Sequence, residues 1–102
     1  MKEIEILNHN AEVASRLLKT LANPHRLMVL CNLIKGEHTA GELEAEVGLS
    51  QSALSQHLTR LKDEGIVDSR REAQKMYYRL IDEDAGAILQ TLYDIYCGQK
   101  NE

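Results

Sequence analysis

Two cysteines and four histidines are the residues best equipped for covalent or metal chemistry in this chain: Cys31 and Cys97, and His9, His25, His38 and His57. The thiols form no CxxC pair, so any link between them is set by the fold, and a direct disulfide needs Cα atoms within about 7 Å. A reactive thiol needs exposure and a lowered pKa, which a nearby cation such as His25 or Arg26 would assist. Cys31 also lies on an apolar helical stripe, where a free cysteine serves as a small buried hydrophobe. Cys97 follows Tyr96 near the tail, where the demand for core is weak. The histidines lack close ligand spacing, so a metal site would have to be gathered by folding or between chains.

A second chemistry resides in the block Gln51 to Arg60. If Leu54, Leu58 and Leu61 point inward from a helix, then Gln51, Ser52, Ser55, Gln56, Thr59 and Arg60 point outward. Such short hydroxyl and amide side chains let a helix enter the major groove of DNA. There Gln grips adenine bidentately, Ser donates or accepts, and Arg reaches guanine or phosphate. Acids appear on this helix only at its distal end, Asp63 and Glu64. Arg70, Arg71, Gln74 and Lys75 follow, suited to position a protein on phosphate rather than to read bases. Basic residues also protect exposed strand edges, and the two roles are compatible.

The elements that must position these groups are legible from periodicity and caps. Ala11, Ala14, Leu17, Leu18 and Leu21 predict a first helix over about 8–21. Asn23 as cap and Pro24 at the first helical position start a second helix that ends near Gly36. Thr39 and Glu42 make a capping box for a short third helix ending at Gly48. Ser50 caps a fourth that halts at Gly65, giving a helix-turn-helix over about 39–64. Ile66 to Arg71 and Lys75 to Ile81 read as a β-hairpin with the tip Glu72, Ala73, Gln74, a wing over about 66–81. Asp82 caps a last helix, about 83–97, with Ala85, Ile88, Leu89, Leu92, Ile95 and Tyr96 on its apolar stripe. The first and last helices carry more apolar face than one small core absorbs, and the surplus predicts a two-fold dimer interface.

Composition sets the frame. The 102 residues, 43 % hydrophobic and 27 % charged, predict a single domain, 1–102, mainly α with one small β-hairpin, and exclude a disordered or collagen-like chain. Met1 to Leu7 alternates charge with hydrophobe and builds no export signal, so the expected location is the cytoplasm. In a reducing cytosol a permanent disulfide is disfavoured, and a transient one belongs to a sensor or a catalyst. No stretch is apolar enough to cross a membrane. The net charge of −4 opposes nucleic-acid binding only on average. Residues 51–79 hold six basic and four acidic side chains, and charges beyond about 8 Å are screened at physiological salt.

Taken together, LANPHRLMVL, GELEAEVGLSQSALSQHLTRLKDEGIV and the basic hairpin ending in YYRL resemble the ArsR/SmtB family of winged-helix transcriptional repressors. The resemblance implies a homodimer held by the first and last helices. Each protomer would place Gln51 to Arg60 in one of two successive major grooves of a palindromic operator, with half-sites about 34 Å apart.

The family's metal sensors are matched poorly. Its arsenic, cadmium and lead sensors carry a cysteine pair on the third helix, and Gly41 to Val47 has none. Its zinc and nickel sensors use Asp and His along the last helix, and Ala85 to Cys97 offers Asp94 without histidine. No metal or cofactor is therefore expected, a non-standard metal site or a regulator without any ligand switch being the alternatives. Cys31 and Cys97 instead resemble the dithiol, HlyU/BigR/SqrR-like subgroup. That likeness implies that oxidants or reactive sulfur species join the thiols by a disulfide or polysulfide link and change operator affinity.

Two other classes compete. An enzyme would need a nucleophile with its base, yet no glycine-rich phosphate loop, paired carboxylates or CxxC is present. A module that binds only protein would show an acidic or bulky apolar face on the fourth helix, which this sequence lacks.

Overall fold

A computed structural model describes residues 2–98. Five helices, α1 (Lys2–Leu21), α2 (Pro24–Ile34), α3 (Ala40–Val47), α4 (Gln51–Asp63) and α5 (Glu83–Tyr93), surround a three-stranded sheet of β1 (His38–Thr39), β2 (Val67–Glu72) and β3 (Lys75–Leu80). A π-helical turn, Asp94–Gly98, follows α5.

The caps expected from sequence are present. Asn23 accepts from the backbone N–H groups of His25 and Arg26 at 2.9 and 3.0 Å. Thr39 and Glu42 close a reciprocal capping box, Thr39 Oγ1 accepting from the Glu42 N–H at 3.1 Å and Glu42 Oε1 from the Thr39 N–H at 2.9 Å. Ser50 and Asp82 cap α4 and α5. Gly65, at φ 76°, ends α4 in a Schellman motif: its N–H donates to Lys62 O, and the next, from Ile66, donates to Leu61 O at 3.0 Å. The buried pair Leu61 and Ile66 seals that motif and sends the chain into the wing.

Four features depart from the sequence reading. Helix α1 begins at Lys2, six residues earlier than expected, because Glu3 and Glu5 favour the positive helix end and Ile4 and Leu7 extend the same apolar spacing. Strand β1, two residues long and too short for any periodic signal, pairs His38 with Tyr78 and Thr39 with Tyr77. Finally, α5 stops at Tyr93, and Cys97 lies in the π-helical turn instead of the α-helix. The hairpin loop is also shorter than the expected three-residue tip: Glu72 joins β2 and pairs with Lys75, leaving Ala73, left-handed at φ 58°, and Gln74.

One buried cluster gathers Leu21, Val29, Leu30, Leu33, Leu43, Leu54, Leu58, Leu61, Ile66, Val67, Ala85 and Leu89. Leu54, Leu58 and Leu61 fix the rotation of α4 about its axis; truncating one to alanine costs about 2–5 kcal/mol. Helix α1 buries only Thr20 and Leu21 fully, with Leu17 half-buried against the core. Its other apolar residues, Ile4, Ile6, Leu7, Ala11, Val13, Ala14 and Leu18, stay in solvent.

Candidate nucleic-acid interface and thiol pair

With three leucines buried, α4 exposes Gln51, Ser52, Ser55, Gln56, Thr59 and Arg60 on one side. Gly48, left-handed at φ 77°, together with Leu49 and Ser50 makes the turn that sets α4 against α3. The first two and a half turns of α4 expose no acid. Arg60 is tethered at the far end, its Nε donating to Glu64 Oε2 at 3.0 Å. This exposed i,i+4 pair is weak enough to open toward an anion.

Behind this face sits a polar joint that sequence reasoning missed. Arg26, nearly buried, donates its Nε to the Thr20 carbonyl at 2.6 Å, and Thr20 Oγ1 donates to Glu64 Oε1. Hydrogen bonds from Thr20 and Arg60 hold the Glu64 carboxyl below the usual carboxylate range, against the opposing effect of burial. His57, half-buried on α4, stands 5.9 Å from His25, ring centre to ring centre. Burial, then Arg26, His25 and Arg60, push its imidazole below its ordinary pKa. A clue was available: residues 20, 26 and 64 are polar at positions where the helical stripes approach one another.

At the wing, Arg70, Arg71, Gln74 and Lys75 are all exposed. Arg70 differs from the others in being fully engaged. Its Nε and Nη2 donate to both oxygens of Glu37 at 2.9 Å, its Nη1 donates to Glu72 at 2.7 Å, and its guanidinium covers the Tyr77 ring at 4.4 Å.

Cys31, half-buried on α2, and Cys97, exposed in the π-helical turn, line one apolar cavity of about 390 Å³ with Leu27, Leu92, Tyr93 and Tyr96. Single π-helical turns are rare and frequent at functional sites. Burial pushes the Cys31 thiol above its ordinary pKa, with Cys97 adding to the shift and Lys35 opposing it. Neither His25 nor Arg26 is among the groups that shift it; Arg26 bonds the Thr20 carbonyl and His25 faces His57. Among the described residues, no three His, Cys, Asp or Glu side chains gather as a metal site. No helix there is long and apolar enough to cross a membrane.

Residues 23–69 match the model of the family described as bacterial regulatory protein, arsR family. The chain is 47 % identical over 98 residues to the HTH-type transcriptional regulator YgaV of Escherichia coli K12, covering 95 % of this chain and 99 % of that protein. It is 41 % identical over 98 residues to the biofilm growth-associated repressor of Xylella fastidiosa 9a5c, covering 96 % and 86 %. The crystal structure of the transcriptional regulator HlyU from Vibrio vulnificus CMCP6 superposes with a TM-score of 0.89 at 44 % identity, over 93 % of this chain and 99 % of that one. With the helix-turn-helix geometry and overall likeness in agreement, the chain belongs to the arsR family of bacterial regulatory proteins, as a winged-helix, DNA-binding transcriptional regulator and not an enzyme.

Proposed function

We propose that the protein is a homodimeric repressor that grips a palindromic operator and is switched by sulfur chemistry at Cys31 and Cys97. The dimer is supported by α1. Ile4, Leu7, Ala11, Ala14 and Leu18 recur at alternating spacings of three and four and are all exposed, a seam suited to a second helix. Ile95 and Tyr96, 55 % and 73 % exposed after α5, add apolar surface beyond the core. Two such protomers would set Gln51, Ser52, Ser55, Gln56, Thr59 and Arg60 into major grooves about 34 Å apart. Arg71, Gln74 and Lys75 would rest on the flanking backbone. The relative named as a repressor supports the direction of control.

The observation that carries the switch is the single cavity shared by the two thiols. Cys97, the exposed member, attacks the sulfane sulfur of a donor persulfide as the thiolate. The donor leaves as a thiol and Cys97 becomes a persulfide. Cys31 then attacks Cys97 Sγ, forming the disulfide and expelling the outer sulfur as hydrogen sulfide. Peroxide makes the same bond by taking the two thiol hydrogens into two waters. Where a persulfide meets peroxide, the outer sulfur is retained as a trisulfide. Each link ties α2, beneath the recognition helix, to the end of α5 at the dimer surface. The distance between the two recognition helices then changes, and contacts are lost on both half-sites.

Operator binding of reduced, peroxide-treated and polysulfide-treated protein, with intact mass measured in parallel, tests this. A link between Cys31 and Cys97 with weakened binding is expected, and Cys31→Ser or Cys97→Ser should abolish the response while leaving reduced-state binding intact. Unlinked thiols with unchanged affinity would remove the switch. A monomer in sedimentation would remove the two-groove grip. Gln56→Ala and Ser55→Ala should relax sequence preference, and equal losses on random DNA would contradict the reading role of α4.

A further inference from the structure

Arg70 does not have its charge available in the way that Arg71 and Lys75 do. Two carboxylates meet its guanidinium, Glu37 in a bidentate fork at 2.9 Å and Glu72 at 2.7 Å, so its charge is fully paired. The sheet order is β1-β3-β2, and Arg70 on β2 lies opposite Tyr77 on β3. Its guanidinium passes over the Tyr77 ring at 4.4 Å and reaches Glu37, which immediately precedes β1. One side chain thus straps all three strands together and ties the wing to the end of the α2 connection. Glu37, with its side chain 30 % exposed, is the less accessible partner of the pair.

We infer that Glu37 is a positioning residue for DNA binding, acting through Arg70 to hold the wing at a fixed angle to α4. Arg70 serves as the strap instead of as a phosphate contact. The inference rests on the proposed docking of the wing on the DNA backbone. Contact with phosphate falls to Arg71 and Lys75, neither of which is held by a carboxylate fork. An acid on the DNA side of a regulator opposes binding by simple electrostatics, so a positioning role makes a prediction of the opposite sign.

Operator affinity measured across a salt series for wild type, Glu37→Gln, Arg70→Ala, Lys75→Ala and the charge exchange Glu37→Arg with Arg70→Glu separates the possibilities. Glu37→Gln is expected to weaken binding about two- to fivefold even though it removes a negative charge, the range set by a well-formed exposed ion pair. Its salt slope, and that of Arg70→Ala, should match wild type, while Lys75→Ala should lower the slope by about one. The charge exchange should recover part of the affinity lost in Arg70→Ala. Tighter binding by Glu37→Gln, or a slope lowered by about one in Arg70→Ala, would overturn the inference and make Arg70 a phosphate contact. If Lys75→Ala changes neither affinity nor slope, the wing does not touch DNA, and the proposed docking fails along with the inference.

Discussion

Thr20 and Glu64 join the end of α1 to the end of α4: the Thr20 hydroxyl, 1 % exposed, donates to one carboxylate oxygen while Arg60 donates to the other. The contact is the direct polar connection between the helix proposed to dimerise and the helix proposed to read DNA. Thr20→Val keeps the shape and removes the donor. It should destabilise the fold by about 1 kcal/mol, the lower part of the range for a bond to a charged group, because the Glu64 side chain is 39 % exposed. The Thr20 bond helps hold the Glu64 pKa below its unfolded value near 4.3, so its contribution is present above that pH and is lost as pH falls through the folded pKa. Urea midpoints at pH 7 and pH 3 should therefore show the gap between wild type and variant narrowing in acid. An unchanged gap would argue that the loss comes from packing.

Ala73 holds a left-handed backbone at φ 58° in the two-residue hairpin loop, a conformation that costs an L-residue with a Cβ about 1–2 kcal/mol. Ala73→Gly relieves this strain but gives the unfolded chain more freedom, so a net gain of about 0.5 kcal/mol is expected. Thermal midpoints of the two proteins measure it. A lower midpoint for the glycine variant would show that the loop is not strained.

That loop also shows where the sequence was readable and where it was not. The caps at Asn23, Thr39, Ser50 and Asp82 were legible because donor and acceptor lie within a few residues of each other. The outward face of α4 was legible because its three leucines set a helical period. The hairpin lacked an Asn-Gly or Asp-Gly pair, and pairing across the sheet forces Ala73 into the turn instead. Strand β1 depends on Tyr77 and Tyr78, and the commitment of Arg70 depends on Glu37, 33 residues away. No local pattern encodes either. The pairing of Cys31 with Cys97 was implied by the resemblance to a family and not by spacing, which carries no distance, and the cavity that they share is set by the fold.

His57 gives the fold a pH dependence of its own. Burial and the nearby Arg26, His25 and Arg60 lower its folded pKa below the unfolded value near 6.5, so acid protonates the unfolded chain first. Its contribution is complete above that value and declines as pH falls through the folded pKa. His57→Gln should flatten the fall in urea midpoint between pH 7.5 and about 5. A curve parallel to wild type would assign the dependence to other groups.

Cys97 and Cys31 should differ in reactivity before any link forms. Cys97 is exposed, whereas Cys31 is half-buried and its pKa is raised, first by burial and then by Cys97. Only the thiolate attacks, so a raised pKa reduces the reactive fraction at neutral pH, and burial further limits access. Iodoacetamide under reducing-agent-free, anaerobic conditions should therefore alkylate Cys97 clearly faster than Cys31 at pH 7, because burial both raises the Cys31 pKa and limits access to its sulfur. Site-resolved mass spectrometry gives both rates, and the Cys31 rate should keep rising at alkaline pH. Equal rates at pH 7 would reverse the assignment of Cys97 as the thiol that meets the sulfur donor first.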